Sequence, residues 1–305
     1  MGPIYKYTYR TMPKSSAYTE GMQMLEGDTE NKRVLLGGDV VYAEKDGREL
    51  HLRLLRPQNV DGDDDNTVYP VLLHVQGSGY LKQNMNNHLE DLKEVAAAGY
   101  VIAVIEYRDS SIVKMPGQVY DVKDAARYVA AHAEELRVDV SRMYLSGDSS
   151  GGHAALMCWA TWPVPGLVDE GQGELPPIRA FLDFYGCVEF VELLKQESAL
   201  DHSGAFSAEG FALGVPAGTP EAMARSEECS VLTYIRQEVS NKPLLVLHGN
   251  KDRTVPFEQS ILLYEAAKKA GKDVTFYCVN NADHGGSAFY CRAVHDTVID
   301  FLNNH

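Results

Sequence analysis

Short apolar runs alternate with longer amphipathic stretches along most of this chain, the pattern of a mostly parallel sheet covered by helices. Val40 to Glu44 and Glu49 to Leu55 flank Lys45-Asp46-Gly47 and predict an antiparallel hairpin at the sheet's start. Val68 to Val75 and Tyr100 to Tyr107 read as buried strands, with a helix over His88 to Ala98 closed by Gly99 between them. A long helix is predicted over Val119 to Leu136, followed by a strand and a small-residue helix that runs to Pro163. Beyond a Gly/Pro-rich loop come strands at Ile178 to Tyr185, Leu244 to His248 and Val274 to Val279. An amphipathic helix, Phe257 to Ala270, separates the last two strands, and a terminal helix begins after Gly286.

The regular alternation breaks between Gly186 and Asn241. This stretch carries Phe190, Leu193, Phe206, Phe211 and Leu213, and Thr219-Pro220-Glu221 reads as an N-cap followed by proline at the first helical position. Two readings stand: a small cap over one edge of the sheet, or a peripheral helical excursion filling its own core. The organisation predicted is one α/β domain over 1–305, with an N-terminal extension at 1–37 and a cap-like insertion at 186–241. The acidic stretch Asp61 to Asn66 reads as a solvated turn. As a calcium loop it would need glycine at its sixth position, where Asn66 stands, and glutamate at its twelfth, where Leu72 stands.

Composition narrows the function. At 305 residues and 45% hydrophobic content the chain can bury a large core. A net charge of −15 argues against nucleic-acid or anionic-membrane surfaces, whose sequence-independent binding needs Lys and Arg. The five cysteines are scattered and lack metal spacing, so reduced thiols are expected and no metal or cofactor site is predicted. No run approaches the roughly 18 apolar residues needed to span a bilayer, and a cytoplasmic protein is expected. A homo-oligomer stays open.

The densest chemical signal is Gly147-Asp148-Ser149-Ser150-Gly151, a GxSxG string between a strand-like and a helix-like run. Ser149 is the candidate nucleophile, and the Ser150 N–H, at the first turn of the helix, is a candidate oxyanion donor. A serine needs a base, and the base a carboxylate to hold its tautomer. In a sheet of this kind these follow in the order serine, acid, histidine, each beyond a strand end. Asp252 and His284 occupy those places; Asp183, late in an earlier strand, stays open as a rival acid. His74, His153, His248 and His295 fall inside predicted elements or before the acid loop, and Asp283 should point away from the base. The glycine-rich loop Gln76 to Tyr80 is placed to complete the oxyanion hole with backbone N–H groups.

From about residue 38 onward these segments resemble the α/β-hydrolase superfamily. More narrowly, they resemble the bacterial carboxylesterase group that includes BD-FAE type feruloyl and acetyl-xylan esterase-like proteins, near the hormone-sensitive-lipase-like esterases. The segments are GDVVYAEKDGRELHLRLLRP, HVQGSGY, YVIAVIEYR, DVSRMYLSGDSSGGH, HGNKDRTVP and NADHG. That family's HGGGW loop aligns with Gln76 to Tyr80, which implies Ser78 and Gly79 as oxyanion donors beside Ser150. Gln76, Ser78 and Tyr80 depart from the pattern at the histidine, a glycine and the tryptophan. The resemblance implies a cofactor-independent serine carboxylesterase for small-acyl, acetylated-carbohydrate or aryl esters. An amide-directed hydrolase, such as an arylformamidase or small peptidase, and a non-catalytic small-molecule receptor are the alternatives.

Overall fold

A computed structural model describes residues 6–27, 33–58, 67–162, 164–171, 173–235 and 241–305. Among these residues eight strands form one sheet in the order β1-β2-β4-β3-β5-β6-β7-β8. They are β1 (Arg33–Lys45), β2 (Arg48–Gln58), β3 (Tyr69–Val75), β4 (Val101–Ile105), β5 (Val138–Asp148), β6 (Phe181–Phe184), β7 (Leu244–Gly249) and β8 (Val274–Val279). The hairpin β1–β2 and the β2–β4 pair are antiparallel. Every pair from β4 to β8 is parallel.

β3 and β4 are buried along their whole length, as expected of strands covered on both faces. Successive side chains alternate between two cores: Val71, Leu73 and Val75 enter one, and Leu72 the other. The first core is closed by α2 (Gly117–Ala131), α4 (Ser149–Thr161) and α9 (Glu258–Lys269). α1 (Leu89–Ala97) and the terminal α10 (Arg292–Asn304) close the second.

Several boundaries differ from the sequence reading: the strands read over Ile178 to Tyr185 and Tyr100 to Tyr107 run only over Phe181–Phe184 and Val101–Ile105. β1 starts at Arg33, within the stretch read as an extension, because a register irregularity between Leu36 and Asp39 carries the ladder across Gly37-Gly38. The helix expected over Val119 to Leu136 breaks at His132, whose ring stacks on Tyr128 and bonds its carbonyl; α3 (Ala133–Leu136) follows. After Gly286 a single 3₁₀ turn, Ser287–Tyr290, precedes α10. The Asp61 to Asn66 turn lies outside the described residues.

Between β6 and β7 the described residues form four short helices: α5 (Phe190–Leu193), α6 (Ala208–Leu213), α7 (Pro220–Cys229) and α8 (Val231–Tyr234). Thr219 caps α7, accepting the Ala222 N–H at 3.3 Å, with Pro220 at the first helical position. Among the described residues no helix is long and apolar enough to cross a membrane. All five cysteines are free; Cys158, Cys187 and Cys229 are buried, Cys278 and Cys291 exposed.

Candidate active site

Ser149 sits where β5 turns into α4, with φ of 51°, a left-handed value that L side chains seldom adopt. The flanking glycines permit this. A Cβ on Gly147 would strike the Gly151 carbonyl, and one on Gly151 would strike the Val75 carbonyl. The helix therefore presses directly onto the sheet, and the serine is thrust out at its edge.

His284 comes from the loop after β8 and Asp252 from the loop after β7. The His284 Nε2 lies 2.8 Å from the Ser149 Oγ, and the His284 Nδ1 lies 2.7 Å from the Asp252 Oδ2. A carboxylate only accepts, so Nδ1 carries the imidazole proton and Nε2 presents a lone pair to the serine hydroxyl. Asp252 is held firmly: its Oδ1 accepts the N–H groups of Thr254 and Val255, each at 2.8 Å. Burial pushes this carboxyl up, but His248 and His284 outweigh it and bring it down to about 2. The face of His284 is set by Tyr185, edge-on with ring centroids 4.7 Å apart.

The remaining histidines and carboxylates are placed elsewhere. His153 is buried, with Nδ1 2.7 Å from the Tyr80 hydroxyl and Nε2 2.7 Å from the Cys229 carbonyl. Burial pulls it down to about 4, so it is neutral. His74 bonds Ser146 at 2.9 Å, and His295 lies within α10. Asp283 turns toward Arg253, 2.6 Å from its Nε, and also accepts the His284 N–H. Asp183 is fully buried beside Gly152 and Gly186 and accepts the Gly186 N–H at 3.0 Å. Burial lifts it to about 8, and among the described residues no histidine ring hydrogen-bonds it, so the structure gives it no part in orienting His284.

The contacts of two residues escape sequence reading. His248 reaches the same Asp252 Oδ2, at 3.2 Å, and bonds Ser260 through Nδ1. Asp148, beside the nucleophile, accepts the Gly77 N–H at 2.9 Å and faces His74 Nε2 at 3.2 Å and His88 Nε2 at 3.7 Å. Burial raises its pKa, but these partners more than offset it and hold the carboxyl below its ordinary value.

The Gln76 to Tyr80 loop lies against the elbow, with one departure from expectation. The Ser78 N–H donates to the Ser150 Oγ at 2.9 Å, so this amide is already engaged. Gly79, at φ of 62°, has no bond to its N–H among the described residues. Ser150 is the second residue of α4, where backbone N–H groups lack helical partners. Those two amides border a cavity of about 490 Å³, into which Ser149 and His284 open. Its outer wall is the β6–β7 insertion, through Leu200, His202, Phe206 and Glu209. Among the described residues, no group of His, Cys, Asp and Glu is arranged to hold a metal ion.

Comparison with known proteins places the chain among esterases. "Probable carboxylic ester hydrolase LipM" of Mycobacterium tuberculosis (strain ATCC 25618 / H37Rv) is 26% identical over 241 residues, 79% of this chain and 53% of that protein. "Esterase LipQ" of the same organism is 24% identical over 252 residues, 76% of this chain and 55% of that protein. The chain thus spans about half the length of these curated relatives. Esterase Est2 of Thermogutta terrifontis, solved with propionate bound, superposes with a TM-score of 0.68 at 25% identity, covering 88% of this chain and 93% of that one. A truncated carbohydrate esterase from gut microbiota shares the fold, with a TM-score of 0.71 at 22% identity over 91% of this chain and 98% of its own. The BD-FAE family model matches residues 60–267, more than half of the sequence, and the chain belongs to the BD-FAE family on an α/β-hydrolase fold.

Proposed function

We propose that the protein is a serine carboxylesterase in which Ser149 is the nucleophile, His284 the general base and acid, and Asp252 the orienting carboxylate. The observation that carries this is the continuous hydrogen-bonded line from Ser149 through His284 to Asp252, opening on one cavity. As the Ser149 Oγ bonds to the ester carbonyl carbon, its proton passes to His284 Nε2. Asp252 stabilises the imidazolium so formed. The carbonyl oxygen becomes an oxyanion, received by the N–H groups of Gly79 and Ser150. Collapse expels the alkoxide, which takes the proton from His284 and leaves as the alcohol. Water then gives its proton to His284 as it attacks the acyl-enzyme, and the carboxylic acid departs with Ser149 restored.

Small-acyl, acetylated-carbohydrate and aryl esters are the substrates of this proposal. The cavity is of moderate size and mixes Phe206 and Leu200 with the polar His202 and Glu209. The insertion acts as a cap in this reading, and the free cysteines suit a reducing, cytoplasmic setting. The esterase relatives favour ester over amide substrates, and a receptor needs no hydrogen-bonded serine, histidine and carboxylate. The test is turnover of p-nitrophenyl esters of graded chain length, with mass-spectrometric mapping of paraoxon modification. Hydrolysis of short esters and a single adduct on Ser149 are expected. Absence of both would reject the proposal.

A further inference from the structure

Three hydroxyl groups, from the loops after β3 and β4 and from the first turn of α4, meet beside the elbow. The Ser150 Oγ lies 3.3 Å from the Tyr107 hydroxyl, which lies 3.0 Å from the Ser78 Oγ. The Ser78 Oγ donates its one proton to the Leu81 carbonyl at 2.5 Å. Proton counting then fixes the direction of every bond. Ser78 has none left to give, so the Tyr107 hydroxyl donates to it, and Ser150 donates to Tyr107. The Ser78 N–H returns to Ser150 and closes the ring. The surroundings hold Tyr107 in place: Gln83 accepts its N–H at 3.0 Å, and Arg108 next to it is clamped on the buried Asp121. Burial pushes the phenol up to about 12, so it keeps its proton throughout the working range.

We propose that the Ser150 hydroxyl and Tyr107 are positioning residues for the oxyanion loop, holding Ser78 so that the Gly79 and Ser150 amides, and not that of Ser78, receive the oxyanion. The inference rests on the esterase reading above. Gly77 and Ser78 spend consecutive N–H groups on the elbow, on Asp148 and on the Ser150 side chain. The loop is thereby fixed at two successive points directly before Gly79. Neither Tyr107 nor the Ser150 oxygen has to touch the substrate for this.

Ser150→Ala and Tyr107→Phe each delete one oxygen, and thermal melts identify which variants are folded. Kinetics are measured on p-nitrophenyl acetate and on its thiono analogue, whose C=S sulfur is a poorer hydrogen-bond acceptor. Each folded variant should lose about tenfold or more in kcat with KM within about twofold, and its preference for oxygen over sulfur should shrink. The double variant should be no worse than the weaker single variant, since either change opens the same ring. Unchanged kcat and oxygen preference in a folded single variant overturns the proposal. So does a faster Ser150→Ala enzyme, which would mean that the Ser78 amide had been withheld from catalysis, and so do losses that multiply in the double variant. Paraoxon labelling of wild-type Ser149 keeps these outcomes apart from failure of the esterase reading itself: an unlabelled, inactive wild type overturns both.

Discussion

His248 and His284 share one oxygen of Asp252, at 3.2 and 2.7 Å, so the carboxylate that orients the proposed base is itself braced from behind. His248 is fully buried and its Nδ1 bonds Ser260 at 2.7 Å. Replacing it by Gln should strand buried polar groups and lower stability by about 1–3 kcal/mol. Turnover should fall far less than in Asp252→Asn. Urea melts and kcat on one short ester check both halves; activity loss equal to that of Asp252→Asn would make His248 a full partner in the chemistry.

Ser149→Ala should fold normally and lose roughly three or more orders of magnitude in kcat. Its paraoxon adduct should vanish with the activity. An adduct that persists on another residue would relocate the nucleophile.

Asp252→Asn should leave His284 in the wrong tautomer and cost roughly 10⁴-fold in kcat. Asp183→Asn should stay active, since Asp183 accepts from Gly186 and no histidine ring hydrogen-bonds it among the described residues. Stability should separate the two further. The folded protein holds a proton on Asp183 up to a pH of about 8, whereas the unfolded chain releases it near 3.8. The native state therefore binds more protons between those values, and wild-type stability falls as pH rises through that window. The amide variant escapes this loss. Its Tm advantage over wild type should grow from pH 5 to pH 8 and then level off, and a constant difference would mean that Asp183 is ionised in the folded protein.

Asp252, brought down to about 2, stays charged across the working range. Its ionisation should therefore leave kcat/KM undisturbed between pH 4 and 7, and any acid limb there should have a limiting slope no steeper than about one on a logarithmic plot. A slope of two between pH 4 and 7 would bring in a second essential group. Stability carries the opposite signature to that of Asp183: the contribution of Asp252 is present above its unfolded value of 3.8 and is lost as pH falls toward about 2.

Much of this arrangement is written locally in the chain. Ser149, Asp252 and His284 each follow an apolar run that becomes a parallel strand, and parallel strands deliver their C-terminal ends to one edge. What local pattern conceals is set by neighbours across the sheet. Tyr107 meets Ser78 and Ser150 only because β3 lies between β4 and β5. Nothing near Ser78 announces that its amide will be taken by a side chain so distant in sequence. Gly37-Gly38 hid the start of β1 because a double glycine normally signals a turn, while here the partner strand absorbs it as an irregular register. His132 interrupted a helix whose apolar spacing runs on past it.

The Tyr80–His153–Cys229 line gives the pocket a fixed post. His153 belongs to the nucleophile helix, Tyr80 to the oxyanion loop, and Cys229 ends α7 of the insertion. Swinging that end of the insertion outward would leave a neutral imidazole N–H and a helix-terminal carbonyl unpaired in an apolar interior, at a cost of about 1–3 kcal/mol for each group. Tyr80, which lines the pocket, is therefore held in place with or without substrate. Discrimination on that side rests on a ring held in place, and any breathing that admits or releases a ligand is left to the rim around Leu200 and Phe206, where the side chains are exposed.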